Sequence, residues 1–332
     1  MKYSPLAATL ILIAACSSPA DPPAPPPLGP ATSSGSLTIR GPFVHEHLAL
    51  YVVEDPAAKP AAEMITLAEG LVSGQVKVTE KKSAEVSELL IENQSDKACF
   101  VQAGDVVKGG QQDRAIGRDF VIPPKTAPTP VSSFCVEQSR WAGTSAFVAS
   151  TQNAYGKELK LAVQKDGSQQ KVWENVAKSK VELRSQTFLA GAPSSSSLNE
   201  ELADPKIQER LKAARGVLGE ILKDRPQAIG LVSAINGKFS TADLYDDPSL
   251  FRRTYPRLLD SATMEALTMK PETKPAPASA DAAAFLAEAE KGETKTEEVR
   301  KGLNLYTCEN AKSVQFDYAW QGRRLHRQVV LK

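Results

Sequence analysis

The chain has 332 residues, a formal net charge of +1 and 42% hydrophobic residues. The near balance of charge excludes a nucleic-acid footprint, which needs a basic stripe to neutralise phosphates. The apolar content suffices for one sizeable core or two small ones.

Residues 1–16, MKYSPLAATLILIAAC, read as a lipoprotein signal peptide rather than as part of the fold. Lys2 supplies a positive start, and Leu6 to Ala15 is an apolar run too short to span a bilayer as a permanent helix. The stretch closes on Ile13-Ala14-Ala15-Cys16, which resembles a bacterial lipobox. The small Ala14 and Ala15 suit a peptidase site, and the Cys16 thiol is the expected point of lipid attachment. Diacylglycerol plus an amide-linked acyl chain such as palmitate would hold the protein firmly, because two chains anchor where one is marginal. Ser17 stands where an Asp would signal inner-membrane retention, so the expected address is the cell envelope, at the outer membrane. Residues 17–36 are rich in Pro and Ser and read as a semi-rigid tether, with a reach of roughly 60 Å when extended.

A main domain is expected over 37–269. Leu37 to Val53 alternates apolar and polar residues, as one or two strands broken at Gly41-Pro42. His45 and His47 share a face on such a strand. With no other ligand nearby they read as exposed and non-ligating, so no metal site is expected. Ile65 to Val72 is a short helix candidate, with Thr66 as cap and Glu69 completing a capping box. Strands follow near 76–80, 86–92, 98–102, 114–122 and 129–137, punctuated by Pro123-Pro124 and Pro128. Helices are expected over 169–183, 204–222 and 250–267, with a Ser-rich loop at 190–198. Between the last two helices, strands at 228–235 and 238–245 flank Asn236-Gly237, the strongest hairpin signal in the chain. Residues 270–291 read as a linker and short helix. Residues 292–332 read as a C-terminal hairpin that packs on the main domain and turns at Gln321-Gly322. The fold class is α+β, a mainly antiparallel sheet with helices packed on one side. A β-sandwich core with appended helices is the alternative.

Two stretches could carry chemistry. Gly104-Asp105-Val106-Val107-Lys108-Gly109-Gly110-Gln111-Gln112-Asp113-Arg114 lacks the Lys-Ser or Lys-Thr of a phosphate-binding loop. Its paired glycines allow a turn through positive φ or the close approach of a ligand. Spacing alone favours a Gly-Gly turn with a solvated charge pair; the alternative is a site lined by Asp105, Lys108, Gln111, Asp113 and Arg114. In Cys135-Val136-Glu137-Gln138-Ser139-Arg140-Trp141, strand alternation puts Cys135 and Glu137 on one face and Arg140 on the other. A nucleophilic Cys135 would want a histidine base, and none stands in a recognisable arrangement. In an oxidising envelope, Cys99, Cys135 and Cys308 leave one thiol over. Cys99 with Cys135 is the first pairing to consider, and sequence leaves the connectivity open. Trp141 and Trp173 read as packing residues.

At these two motifs the chain resembles a known family. ENQSDKACFVQAGDVVKGGQQDR and VIPPKTAPTPVSSFCVEQSRW are similar to the first type of ADP-ribosylglycohydrolase- and rhodanese-phosphatase-associated protein domain. VWENVA at 172–177, the segment 229–259 and the closing LHRQVVLK agree, so the resemblance covers about residues 37–332. Asp113 stands where the family pattern has Asn, and Ser139 where it has Gly. The family is named for neighbours that act on ADP-ribose and phosphorylated compounds, and the resemblance implies no reaction for the domain itself.

The expectation is therefore an envelope lipoprotein domain that binds a small-molecule or protein ligand. It has no cofactor, no nucleic-acid partner, and a membrane contact through lipid on Cys16. The alternative is an enzyme acting on a nucleotide-like or phosphorylated substrate. Candidate ligand-binding residues are Asp105, Lys108, Gly109, Gly110, Gln111, Arg114, Glu137 and Arg140. In the enzyme reading Arg114 and Arg140 clamp an anion while Glu137 or Asp105 acts as base.

Overall fold

A computed structural model describes residues 37–60, 63–81, 87–138, 145–189, 199 and 201–332. Residues 1–36, where a signal peptide with Cys16 and a tether are expected, Arg140, Trp141 and the Ser-rich stretch 190–198 lie outside the described residues. In chain order the first half holds β1 (Thr38–His45), β2 (Leu48–Glu54), β3 (Met64–Thr66), α1 (Leu67–Val72), β4 (Val76–Glu80), β5 (Glu88–Asn93), β6 (Ala98–Val101), β7 (Asp105–Lys108), β8 (Arg114–Ile116), β9 (Phe120–Ile122), β10 (Thr126–Cys135) and β11 (Val148–Asn153). The second half holds α2 (Lys157–Leu161), α3 (Gln169–Thr187), α4 (Pro205–Leu218), β12 (Ala228–Ile235), β13 (Lys238–Tyr245), α5 (Pro248–Thr268), α6 (Ser279–Ala289), β14 (Glu293–Arg300), β15 (Leu303–Glu309), β16 (Ser313–Trp320) and β17 (Arg323–Leu331).

The fold is α+β. An eight-stranded antiparallel sheet runs β1-β2-β12-β13-β17-β16-β15-β14, beside a six-stranded sheet β11-β7-β8-β10-β5-β4 and a three-stranded sheet β3-β6-β9. Helix α5 is the hub between them. It packs on α3, α4, β11, β12 and β13, and the long run Leu258–Leu267 is buried on every side. Asp247 caps its N-terminus, with Pro248 in the first turn where no N–H is needed. On the far face of the large sheet, Tyr51, Val53, Val232 and Val329 meet Ala282 and Leu286 of α6. Burying such a face is the main source of stability, at about 25 cal/mol per Å² of apolar surface.

Local chemistry sets several boundaries. Thr66 Oγ accepts from Glu69 N while the Glu69 carboxylate accepts from Thr66 N, the capping box read from the sequence. Asn236 and Gly237 both adopt positive φ, at 52° and 72°, as a two-residue hairpin turn demands. Three expectations are corrected. The first strand is not broken at Gly41-Pro42; a register shift there is absorbed, and the chain turns at Glu46-His47 instead. His45 and His47 are half-buried rather than exposed, and His47 Nε2 meets the Ala266 carbonyl at 2.8 Å. The stretch 114–122 is two strands in two sheets, because Asp119 turns inward to accept from Ala103 N. The C-terminal hairpin is the end of a four-stranded meander, β14 to β17, that completes the large sheet. Strand β14 is polar on both faces because it is an edge, where charge discourages pairing with another chain.

Candidate functional site

The two signature stretches meet as the adjacent strands β7, β8 and β10. Val107 pairs with Arg114, and Arg114 with Cys135. The paired glycines serve close packing of the chain on itself. A Cβ on Gly109 would stand 2.6 Å from the Ala146 carbonyl oxygen, and one on Gly110 would stand 2.4 Å from the Phe147 ring. The turn they open is closed by Asp113, whose Oδ1 accepts from Gly109 N at 3.0 Å and whose Oδ2 accepts from Asn199 at 2.9 Å. Asn199 in turn accepts from Ser150 Oγ at 2.6 Å. Gln111 N donates to Glu80 at 3.1 Å, and Glu137 accepts from Asp113 N at 3.4 Å.

Arg114 is 2% exposed. It donates to Gln112 Oε1 at 3.1 Å and to Cys135 Sγ, and it faces Glu80 at 3.5 Å. Only its Nε lacks a partner among the described residues. The charge pair here is therefore buried and cross-linked, where spacing alone suggested a solvated one. Glu137 is buried and Lys108 is exposed. Burial pushes the Cys135 thiol up to about 11, against the pull of Arg114. A thiol held protonated at neutral pH is a poor nucleophile. Cys99, Cys135 and Cys308 are all free and buried, which corrects the Cys99–Cys135 pairing. Cys99 sits in the three-stranded sheet, while Cys135 ends β10 with its thiol on Arg114.

Asp105, at the other end of β7, belongs to a different place. The tight turn Gln102–Asp105 passes through positive φ at Gly104, and Asp105 Oδ2 accepts from Gln102 N at 3.0 Å. Asp105 Oδ1 reaches across to Arg257 Nη1 on α5 at 3.1 Å. A cleft opens between this turn and α5, lined chiefly by Thr66, Gln102, Asp105, Asn153, Arg253 and Arg257. Burial pushes the Asp105 carboxyl up, and Arg257 offsets only part of that. Asn153 Oδ1 is buried with no donor, and Arg253 Nε and Nη2 are buried with no hydrogen-bond acceptor, among the described residues. None of Lys108, Gly109, Gly110, Gln111, Arg114 or Glu137 lines this cleft.

Beneath the turn lies a cluster that sequence reasoning missed. His326 is 1% exposed and lies between two carboxylates, Nδ1 to Asp119 Oδ2 at 2.8 Å and Nε2 to Asp243 Oδ1 at 3.2 Å. Burial alone would lower its pKa. Asp119 and Asp243 outweigh that and hold it up at about 9, so the ring is an imidazolium with both N–H groups committed. Such a ring clamps carboxylates and cannot take a proton as a base. Asp243 is also penalised by burial, yet Lys160 and His326 hold it down to about 2. The cluster grips the cleft's turn directly. Gln102 donates to Asp243 at 3.3 Å and accepts from Tyr245 at 2.8 Å, and Ala103 N donates to Asp119 at 2.8 Å. The signal was present in LHRQVV: polar His326 and Gln328 alternate through a strand whose every residue from 325 to 330 is buried. The carboxylate partners are 207 and 83 positions away.

Among the described residues no group of three or more His, Cys, Asp or Glu is placed to hold a metal. Comparison with curated proteins and with solved structures yields no match. The profile of the ARG and Rhodanese-Phosphatase-superfamily-associated Protein domain (ARPP-1) matches residues 36–330. That span takes in the signature strands, the cleft and the buried His326 cluster, and the chain belongs to this family.

Proposed function

We propose that this chain is the ligand-binding domain of a cell-envelope lipoprotein, tethered to the outer membrane through acyl chains on Cys16. The observation that carries the binding role is the cleft between the Gln102–Asp105 turn and α5. There, buried donors on Arg253 and a buried acceptor on Asn153 have no partner among the described residues, beside the Asp105–Arg257 pair. Buried polar groups are almost always hydrogen-bonded, so unmatched groups gathered at one concave surface mark a place for a ligand. The envelope address rests on the lipobox at 13–16 and the Pro-rich stretch after it. No described helix is long and apolar enough to cross a membrane.

Thermal-shift screening of the full chain against nucleotides, sugars, organic acids and metals tests the binding role, since a specific ligand raises Tm by mass action. At least one compound raises Tm in the native chain and not in Asn153→Ala. No shift from any compound refutes the role. Acyl labelling that Cys16→Ser abolishes, with release from the membrane fraction, tests the anchor.

One observation favours an enzyme on a nucleotide-like or phosphorylated substrate. Asp105 is a buried carboxyl pushed up by desolvation beside a guanidinium, and perturbed carboxyls of that kind recur as acids and bases in active sites. In that reading Asp105 is the acid or base, and Arg114 and Glu137 hold the frame behind it. Turnover of a phosphorylated compound that Asp105→Asn abolishes, with binding retained, would select this reading.

A further inference from the structure

We propose that the cleft beside α5 takes the anionic end of its ligand, a terminal carboxylate or phosphoryl group, on the Nε–Nη2 edge of Arg253. This rests on the cleft reading above and adds the ligand's chemistry. Along that edge a guanidinium offers two parallel N–H groups, spaced to meet two oxygens of one anion. The molecule uses the same edge elsewhere: Arg215 Nε and Nη2 donate to the two carboxylate oxygens of Asp260 at 2.7 and 2.5 Å. At Arg253 both atoms are buried and neither has an acceptor among the described residues.

Among the described residues no carboxylate fills that fork. The closest ion pair is to Glu69 Oε1, 3.9 Å from Nε and beyond hydrogen-bond reach. Glu69 cannot advance freely, because its Oε2 accepts from Thr66 N at 2.8 Å and from Thr66 Oγ at 3.0 Å to cap α1. Asp105 is committed to Arg257 and to the Gln102 amide. Of the two guanidinium groups in the cleft, one is therefore held by an internal carboxylate, and the other presents its fork to whatever enters.

Size and the second unmatched group narrow the class. The empty space in the cleft is about that of one water, so a two-oxygen anion reaches the fork only as the walls shift apart, and the rest of the ligand stays in solvent. The Arg253 side chain is 24% exposed, while its Nε and Nη2 atoms are buried. Asn153 is 4% exposed and lines the same cleft, with Oδ1 wanting a donor. A two-oxygen anion with an adjacent O–H or N–H satisfies both walls. A 2-hydroxy or 2-amino carboxylate has that pattern, and so does a singly protonated phosphate.

The test is titration of the full chain with L-lactate, acetate and inorganic phosphate, at constant ionic strength so that charge screening does not imitate binding. Lactate or phosphate saturates in the millimolar range, lactate ahead of acetate. Arg253→Gln and Arg253→Lys weaken the interaction at least about tenfold, the lysine variant because a point charge lacks the fork. Arg252→Gln removes the same charge next door, outside the cleft, and leaves binding unchanged. In the native chain, ¹⁵N NMR of the Arg253 Nε–H resonance moves with the saturating probe, which reads the fork without a substitution.

Any of three results overturns the assignment: no saturation by either probe, equal weakening in Arg252→Gln, or a stationary Arg253 Nε resonance. A neutral sugar that binds and is lost in Asn153→Ala, but not in Arg253→Gln, keeps the cleft and refutes the anion. If no probe and no screened compound binds, both readings fall together.

Discussion

The signature loop and the α5 cleft lie at opposite ends of one strand, β7, and treat their charges in opposite ways. At the Lys108 end, Arg114, Asp113, Glu80 and Glu137 bond mostly to one another and to backbone amides. At the Asp105 end, among the described residues, Arg253 has no hydrogen-bond acceptor for Nε or Nη2, and Asn153 Oδ1 has no donor. The contrast teaches that density of polar residues in a motif does not mark a site. What separates a clamp from a site is whether the groups are matched. A matched buried network stabilises one conformation, whereas unmatched groups keep free energy available for a ligand.

Mutations can break or sharpen this comparison. The largest loss is expected at His326→Ala, which leaves the Asp119 and Asp243 carboxylates buried and facing each other. Removing one partner from a buried ion pair costs about 3–5 kcal/mol, and here two carboxylates are stranded, so the upper end applies. Urea denaturation measures it; a loss below about 1 kcal/mol would show that the cluster is not a clamp. Arg114→Ala should fall nearer the lower end of that range, because Glu80 is 26% exposed and water can solvate it in part. Equal stability of Arg114→Ala and the native chain would remove the distinction between the two regions.

The pH dependence sharpens the same point. His326 has its pKa raised from 6.5 to about 9, so its contribution is whole below 6.5 and fades as pH rises through about 9. Asp243 is lowered from 3.8 to about 2, so its contribution is whole above 3.8 and fades as pH falls through about 2. The cluster stabilises most between pH 3.8 and 6.5. The stability gap between the native chain and His326→Gln should therefore shrink between pH 6.5 and 9; a gap constant with pH would contradict the imidazolium.

A smaller effect is expected at Thr66→Ala. It removes the capping oxygen of α1 and costs about 1 kcal/mol in the midpoint of thermal or urea unfolding. The smallest is Arg253→Ala, within about 0.5 kcal/mol of the native chain, because a partly exposed side chain whose Nε and Nη2 make no hydrogen bond among the described residues holds little together. A large loss there would turn the cleft into another clamp.

Much of the fold was legible because its signals are local. Thr66 with Glu69, Asn236-Gly237, Pro205 and Pro248 each set a boundary through their own backbone chemistry. Strand β14 was not legible. ETKTEEVR carries no apolar alternation, and it is a strand only because β15 offers it a partner. Of the candidate site residues, Asp105 lines the cleft, while Gly109, Gly110, Gln111, Arg114 and Glu137 belong to the clamped loop and strands beside it. Spacing could not separate them, since adjacent strands put all of them close together. Arg253 and Arg257 carry no signal in the sequence beyond two charges at i and i+4 on a helix, positions that usually face solvent or each other.

The sequence by itself determined the family, the α+β class and the places where helices and hairpins start, because each rests on residues within a few positions of one another. Only the tertiary structure decided which charges are matched. Whether Arg114 finds Glu80, or His326 finds Asp119 and Asp243, depends on strand order and register across the whole chain. Burial then turns those meetings, and the missing ones at Arg253, into the difference between a clamp and a cleft.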